Sequence, residues 1–541
     1  MNSKLTIKQR HSSMMIALWL AAAATLLAAR GASGQPGQIC PAALVDVDPR
    51  RSVFVTELNV VERFSLEAVL TQLAGPTPPP GSGARTLWEQ WWDTQNPNPG
   101  LGLGLNCDDF VDASGNPAIN GFPIECPRSE GAEINVNPFD PNQQSFYKPI
   151  ALVNRFDLAP VDGANCGEYR IIFARKSGET SIFDRNLVIF EAVLSNPNPD
   201  CGLDGCRAIA KFWAKLTDID RPRRRARRLE RFYFSGIPAH DVEPVIQVSN
   251  FGPGAGQVRT NQFLNNVGPV QWQLREYKMV ELCTAPTGPC RVQFIPVSVK
   301  TNPFGDLFDD TSPLPVAAPF QAHLLTQLPD LLVPNLLRFS YQVPGVFNAG
   351  QSNSQGPENN YVTHLNQGSG TFSANIQAEL NNLGSGLSPL HIARRAMTQS
   401  CAGCHQLNNG AHSDLGDNLD WPSSLGFVHV HERDTVQING TEHFDTSPAL
   451  DDLFIPARER VLENFLRNPP CVPCALAATA DDDSDPVAAS AMAPPPPGSM
   501  IVVEPGEMGN PEVDPADVEE LDTERGDWRL QQTLGGPRRL H

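Results

Sequence analysis

After its amino-terminal segment, the sequence contains no apolar run as long as the roughly 20 residues that a membrane-spanning helix needs. Basic charge is also scarce, because 41 Lys and Arg residues stand against 60 Asp and Glu residues, a formal net charge of −19. Nucleic-acid binding depends on basic side chains that neutralise phosphates, so nucleic acid is not the expected partner. The sequence has no Gly-rich phosphate loop, no G-x-S-x-G elbow and no H-E-x-x-H helix. The commonest signatures of nucleotide-binding proteins and hydrolases are therefore excluded.

Residues 1–34 have the layout of a secretory signal peptide. Basic residues up to Arg10 precede an apolar core over residues 14–29, and small residues follow at 32–34, where a signal peptidase would cut. The apolar core is slightly short for an uncleaved membrane anchor. We therefore expect a periplasmic or secreted protein that is not integral to the membrane after cleavage.

The 12 cysteines are an even number, which in an oxidising compartment favours a disulfide framework. Three pairs that flank short segments are the expected bridges, namely Cys107 with Cys126, Cys201 with Cys206, and Cys283 with Cys290. Four further cysteines have no predicted partner: Cys40, Cys166, Cys471 and Cys474. The remaining two, Cys401 and Cys404, belong to a motif of their own.

The fold class that the patterns indicate is α+β. Residues 40–385 are predicted to be a large β-rich region with scattered helices, in which we recognise no family and to which we assign no role. Runs of alternating or β-branched residues predict strands over 169–175, 186–194, 242–248 and 291–300. The spacing of apolar residues predicts a helix over 207–217.

Residues 386–470 are predicted to form a small, mainly helical module. Ser388 is a helix N-cap followed by proline at the first helical position, and the helix that it opens runs into Cys401. A second helix is expected over Ala457–Asn468, where apolar residues form one stripe. The Pro-rich segment 475–541 holds 14 acidic and 4 basic residues, a net charge of −10. This acidic tail is expected to be disordered because it cannot bury a core.

The motif that carries chemistry is Cys401-Ala402-Gly403-Cys404-His405, the C-x-x-C-H pattern of covalent haem attachment. Two thiols at this spacing reach the two vinyl groups of one porphyrin and form thioethers with them. The histidine that follows directs its imidazole at the iron, for which a neutral ring nitrogen is a good axial ligand. The sequence therefore predicts one covalently attached haem c.

The segment around this motif resembles the attachment site of class I c-type cytochromes, in which an N-terminal helix delivers C-x-x-C-H and a later helix packs against it. The resemblance covers residues 386–470 and no other part of the chain. It implies a cytochrome c-like haem module, with Cys401 and Cys404 as the haem-attaching residues. It also implies that His405 is the proximal iron ligand.

The sequence departs from that family on the far side of the iron, where class I cytochromes usually supply a methionine. No methionine lies between His405 and Met492, whereas histidines are crowded in this part of the chain. A strand predicted over Phe427–His431 would place His429 and His431 on the same face. His429 is therefore the first candidate for the distal ligand. The alternatives are His431, His443 and His412.

Other interpretations of the same residues remain open. Cys401 and Cys404 could form a tight disulfide, or they could hold zinc with nearby histidines and the second C-x-x-C pair, Cys471 and Cys474. His429 could likewise belong to an independent H-x-H metal site.

The first functional hypothesis is a periplasmic or secreted c-type haem protein that transfers electrons to an unidentified redox partner. A mono-haem oxidoreductase, acting on a substrate held by the β-rich region, is a further alternative, for which no catalytic residue is predicted. The alternative from another class is a non-haem extracellular binding or structural protein, in which the motif forms a disulfide or a zinc site.

Overall fold

The computed structural model describes residues 45–75, 78, 82–263, 272–283 and 290–468. The predicted signal peptide, the predicted acidic tail, Cys40, Cys471 and Cys474 lie outside the described residues. Within them, buried apolar side chains from Val47 to Leu466 form one continuous hydrophobic core. The two ends of this core meet, because the Val47 N–H donates a hydrogen bond to Glu463 Oε1 at 3.1 Å.

An antiparallel sheet is the largest element of the fold. In chain order the strands are β1 (Phe54–Val55), β2 (Ala118–Ile119), β3 (Phe122–Pro123), β4 (Tyr147–Arg155), β5 (Asn165–Arg175), β6 (Asn186–Ser195), β7 (Gln257–Gln262), β8 (Gln273–Cys283), β9 (Cys290–Val297), β10 (Ser352–Asn353), β11 (Val430–Ile438) and β12 (Thr441–Thr446). Eight of these strands form the main sheet, in the order β1-β4-β5-β6-β7-β8-β10 with β9 also paired to β8. Strands β2 and β3 form one separate hairpin, and β11 and β12 form another.

Helices connect and cover the strands. In chain order they are α1 (Pro49–Ser52), α2 (Leu58–Val61), α3 (Leu66–Ala74), α4 (Ala84–Asp93), α5 (Arg207–Ala214), α6 (Pro222–Ser235), α7 (Ala317–Leu331), α8 (Tyr361–Gln367), α9 (Thr371–Asn382), α10 (Pro389–Met397) and α11 (Ile455–Arg467). Among these described helices, none has both the length and the apolar composition that crossing a membrane requires. The mixture of helices with a large antiparallel sheet confirms the α+β class.

The two faces of the main sheet carry different side chains, because successive residues of a strand point to opposite faces. One face is aromatic and packs against α4, where the Trp91 ring lies 5.9 Å from Phe190 on β6 and 4.3 Å from Phe294 on β9. Trp91 is fully buried, and a buried aromatic side chain of this size is a large contribution to a core. The opposite face carries aliphatic and charged residues, and it lies toward the segment that contains the C-x-x-C-H motif.

Disulfides join neighbouring segments of the described chain. Two predicted bridges are confirmed, Cys107–Cys126 and Cys283–Cys290. The predicted Cys201–Cys206 bridge is wrong, because Cys206 is bonded to Cys166 at a sequence separation of 40. A 3-10 segment that ends at Cys206 packs this side chain against β5, where both sulfurs are buried. The bridges agree with the oxidising compartment that the cysteine count predicts.

Most of the predicted elements in the β-rich region are present. The strands predicted over 169–175, 186–194 and 291–300 correspond to β5, β6 and β9, and the helix predicted over 207–217 corresponds to α5. The strand predicted over 242–248 is wrong, because this segment contains no strand. Pro244 lacks an N–H group for a ladder, and the Ile246 N–H is used by the Tyr233 carbonyl at the end of α6.

The segment from residue 386 onward combines the two expected helices with a β-hairpin. The helix predicted after Ser388 is α10, and the one predicted over Ala457–Asn468 is α11, which begins two residues earlier at Ile455. Strands β11 and β12 lie between them, so the segment is mixed rather than mainly helical. It packs into the same core as the sheet, as the Phe156–Phe465 ring contact at 4.7 Å illustrates.

Candidate functional site

The helix that precedes the motif is fixed at its start by a capping box. Ser388 Oγ accepts a hydrogen bond from the His391 N–H at 3.3 Å, and His391 Nδ1 accepts one from the Ser388 N–H at 3.2 Å. Such reciprocal bonds satisfy backbone groups that have no partner within the helix. Pro389 occupies the first helical position, where its missing N–H costs nothing. Helix α10 therefore starts at a defined residue and delivers Cys401 at a defined place.

A glycine inside the motif is required by the turn that follows α10. From Gly403 to Leu407 the chain forms one turn of π-helix. A Cβ atom on Gly403 would lie 1.8 Å from the carbonyl oxygen of Met397, so only glycine allows these backbone segments to approach so closely. The turn is also attached to the edge of the sheet, because the Ala402 N–H donates to Ser352 Oγ of β10 at 3.0 Å.

The two motif thiols are buried and are not bonded to each other. Cys401 is 0% exposed and Cys404 is 1% exposed. Burial raises the pKa of each thiol to about 12, because a thiolate would lose its hydration here. Both sulfurs are therefore protonated at neutral pH.

His405 is held in one tautomer by a backbone carbonyl. Its Nδ1 lies 2.9 Å from the carbonyl oxygen of Phe427, so Nδ1–H donates and Nε2 keeps its lone pair. Burial lowers the pKa of the imidazole to about 4, so the ring is neutral at neutral pH. Trp272 stacks on the ring with centroids 5.1 Å apart. A neutral imidazole with one nitrogen anchored and the other free is the form in which histidine binds a metal.

The carbonyl that orients His405 belongs to a strained turn. Phe427 has a φ of 70°, which is rare for a bulky side chain. Arg185 holds this turn, since it donates to the Gly426 carbonyl at 3.2 Å and to the two oxygens of Glu432 at 2.6 and 2.7 Å. Backbone strain of this kind persists only where the surroundings enforce it. The buried Arg185–Glu432 pair therefore restrains the turn that presents the Phe427 carbonyl to His405.

A cavity lies between the motif and the sheet. The aliphatic part of its sheet wall consists of Val153, Ile172, Leu187, Ile189 and Leu274, which come from one face of β4, β5, β6 and β8. The opposite wall includes Cys401, His405 and His429 from the motif side, together with Val430, Leu450 and Arg458. The centres of water molecules could occupy about 70 Å³ of this cavity. Its walls are thus largely apolar, and a large flat ligand would have to move the opposite walls apart.

Charged residues on the sheet wall form a buried ion network. Glu191 is 3.0 Å from the Arg170 guanidinium and 3.2 Å from the Arg259 guanidinium. Arg259 also contacts Glu276 at 2.9 Å. The side chains of Glu191, Arg259 and Glu276 are at most 3% exposed, and buried charges are tolerated only when they are paired in this way.

Of the candidate distal ligands, His429 is the one that lines the cavity with His405. His431 Nδ1 accepts hydrogen bonds from backbone N–H groups of its own strand at 3.2 Å. His443 Nε2 lies 2.8 Å from Thr441 Oγ1, and His412 lies in a 3-10 turn that does not line the cavity. Strand β11 begins at Val430, later than the predicted Phe427, because the left-handed turn interrupts the strand.

His429 contacts His405 directly. The two ring centroids are 4.5 Å apart with an angle of 56° between the planes. His429 Nε2 lies 3.4 Å from Cys404 Sγ, and Nδ1 lies 2.8 Å from Ser447 Oγ. A macrocycle cannot lie between rings that touch, so a distal role requires the His429 side chain to move away from His405.

The Cys404–His429–Ser447 arrangement has the connectivity of a thiol nucleophile with its base and an orienting group. The electrostatics oppose that chemistry, because burial raises the pKa of Cys404 to about 12. Burial and the neighbouring His405 and Arg458 also hold the pKa of His429 well below its ordinary value. The thiolate–imidazolium pair that activates a cysteine is therefore disfavoured at this site.

The donor set fits a covalently attached haem. Attachment needs two free thiols at the i and i+3 positions and one imidazole with a free nitrogen, and Cys401, Cys404 and His405 supply them. A structural zinc ion needs four ligands in close proximity. Within the part of the chain that the structure describes, no group of three or more His, Cys, Asp or Glu side chains could hold a metal ion. The predicted zinc alternative also used Cys471 and Cys474, which lie outside the described residues.

Three residues of the site are missing from the sequence-based prediction. Phe427 contributes a backbone carbonyl, for which a sequence carries no signal. Trp272, the residue just before β8, contacts His405 although the two are far apart in the sequence. Arg458 precedes Val461 by three residues and Leu462 by four, so it lies on the apolar stripe predicted for α11, and it is 4% exposed in the folded chain. Its sequence signal is a charged residue within a core-facing stripe.

No family model, curated protein or solved structure matches this chain.

Proposed function

We propose that this chain is a c-type haem protein that carries one haem through thioethers to Cys401 and Cys404, with His405 as the proximal ligand. The main support for the proposal is the hydrogen bonding of the His405 ring and the free thiols beside it. Its Nδ1 is bonded to the Phe427 carbonyl, its Nε2 is free, and the two thiols beside it are not bonded to each other. The simplest role is electron transfer, since a haem bound here would supply one-electron redox chemistry.

The surrounding residues would each have a defined task in such a site. The Phe427 carbonyl fixes the tautomer of His405 and increases the electron density of its ring, as hydrogen-bond partners of metal-binding histidines generally do. Trp272 restrains the ring plane by stacking. The aliphatic side chains of the sheet wall would lower the local dielectric constant beside the haem, which is one determinant of a reduction potential.

The disulfides support an extracytoplasmic setting, because such bridges form and persist in oxidising compartments. Haem attachment through thioethers suits the same setting, where a cofactor without a covalent link could be lost. We therefore propose a periplasmic or secreted location for the haem protein.

The test is to produce the full chain in a bacterial periplasm that has haem-attachment machinery. We expect a red protein with one haem per chain by the pyridine haemochrome spectrum, which keeps its haem during denaturing electrophoresis. The matched control is the same chain produced without that machinery, which should be colourless. Colourless protein from the first host, with unmodified Cys401 and Cys404 by peptide mass spectrometry, would favour the non-haem binding or structural alternative.

His429 is expected to supply the distal ligand once haem is attached, after its ring has moved away from His405. The Nδ1 contact with Ser447 Oγ leaves Nε2 available for iron when Nδ1 is protonated. His429→Ala should therefore convert a low-spin absorption spectrum into a high-spin one. His431→Ala, two residues along the chain, is the matched control and should leave the spectrum unchanged. A low-spin spectrum that survives His429→Ala would exclude this residue as the ligand.

A further inference from the structure

Arg458 is a buried cation that faces the cavity. It belongs to the first turns of α11, it is 4% exposed, and it lines the cavity together with Cys401 and His429. The proposed haem attachment uses thiols and an imidazole and does not explain why a guanidinium is placed there. Arginine is rarely buried without a partner, because removing its charge from water is costly.

The carboxylate beside Arg458 is already bonded to another arginine. Asp157 accepts hydrogen bonds from Arg155 Nε at 3.0 Å and Nη2 at 2.9 Å, whereas Arg458 Nε is 3.9 Å from Asp157 Oδ1. That distance is too long for a hydrogen bond, and Arg458 Nε has no hydrogen-bond partner among the described residues. The guanidinium also lies over the Phe454 ring at 5.6 Å. Two buried guanidinium groups thus share one carboxylate.

The other arginines of the cavity have closer carboxylate partners than Arg458 has. Arg170 and Arg259 are on the sheet wall, and each is paired with carboxylates of that wall. Burial and repulsion from Arg155 lower the pKa of Arg458 well below its ordinary value. Among the three arginines that line the cavity, Arg458 is therefore the one whose nearest carboxylate lies beyond hydrogen-bond distance.

We propose that Arg458 is an anion-binding residue and that the cavity takes a carboxylate or a similar small oxyanion against its guanidinium. Planar guanidinium groups recognise carboxylates through paired N–H donors. Two different molecules could supply this carboxylate or oxyanion. One is a carboxylate group carried by the haem itself, which rests on the proposed function, and the other is a free small anion that enters the cavity.

The test uses the full chain without haem and sodium propionate as the probe, titrated by calorimetry at constant ionic strength set with chloride. We expect saturable binding to the unaltered chain and at least tenfold weaker binding to Arg458→Gln. Arg460→Gln is the matched control, because Arg460 lies on the same helix but is exposed, and it should bind like the unaltered chain. Equal affinity of Arg458→Gln and the unaltered chain, or no binding to either, would overturn the proposal.

The haem-loaded chain then separates the two sources. If propionate no longer binds once haem is attached, the haem carboxylate occupies Arg458; if it still binds and shifts the haem absorption, the ligand is a free anion. The haem-free titration does not depend on haem attachment, so it tests Arg458 even if the proposed function fails.

A stability measurement guards against a variant that merely misfolds. In a chloride buffer without carboxylates or other oxyanions, Arg458→Met should raise Tm, because it removes a buried charge that lacks full compensation while keeping a similar side-chain volume. A residue whose charge is satisfied within the protein would show the opposite shift. A fall in Tm for Arg458→Met would therefore count against an anion site.

Discussion

Replacing Cys401 and Cys404 together with alanine is expected to reduce covalently bound haem from one per chain to background. Thioether formation needs a sulfur atom at each vinyl group, and in the described chain these are the cysteines left without a disulfide. Haem that remains bound only through His405 should leave the chain during denaturing electrophoresis. The measurement is haem staining of the gel, normalised to the amount of protein. Staining that persists in the double variant would show that attachment occurs elsewhere.

The matched control is the double variant Cys283→Ala and Cys290→Ala. These residues also form a closely spaced pair, but they are bonded to each other across the β8–β9 hairpin. Their removal should leave haem content unchanged. Removing the buried sulfurs of Cys401 and Cys404 is expected to cost on the order of 1 kcal/mol each in the free energy of unfolding, so circular dichroism should show a folded chain. An unfolded double variant would make the single variants the decisive comparison, and each should retain a reduced haem stain.

The sequence predicts those parts of the fold that depend on neighbouring residues. Strands β5 and β6 follow from runs of β-branched and aromatic residues, and α10 follows from the Ser388 cap. The Cys283–Cys290 bridge follows from its short loop. The strand predicted over 242–248 fails because its backbone bonds to the end of α6, which is a tertiary effect. The Cys166–Cys206 bridge could not be predicted, since it depends on how the segment before α5 packs against β5.

In the candidate site, too, the sequence predicts the residues that are close together in the chain and misses those that tertiary packing brings in. Cys401, Cys404 and His405 are adjacent in sequence, so their chemistry follows from spacing alone. The partners that define the environment come from distant segments, as Trp272 and the Phe427 carbonyl show. The predicted alternation over Phe427–His431 fails at the left-handed Phe427, which follows the residue whose carbonyl accepts a hydrogen bond from the distant Arg185. Among six histidines in this region, tertiary packing alone decides that His429 is the neighbour of His405.

Removing one member of the Arg185–Glu432 pair is expected to cost about 3–5 kcal/mol in the free energy of unfolding. The pair joins the start of β6 to β11, and its side chains are 4% and 0% exposed. A single Arg185→Met or Glu432→Met substitution would leave the opposite charge buried and unpaired, which is the expensive outcome for such pairs. The measurement is denaturant unfolding followed by circular dichroism, for both single variants and the double variant.

The double variant should recover most of the loss, because replacing both members of a buried ion pair with apolar side chains is often close to neutral. The exposed pair Arg433–Asp434 on the same strand is the matched control, since both of its side chains are 50% exposed and Arg433→Met should cost less than about 0.5 kcal/mol. Losses that simply add in the double variant would show that the two charges are not coupled.

Arg185 also donates a hydrogen bond to the Gly426 carbonyl, a contact that Glu432 does not make. In the haem-loaded chain, Arg185→Met should therefore make the orientation of the His405 ring more variable than Glu432→Met does. That difference would connect the buried ion pair to the orientation of the proposed proximal ligand.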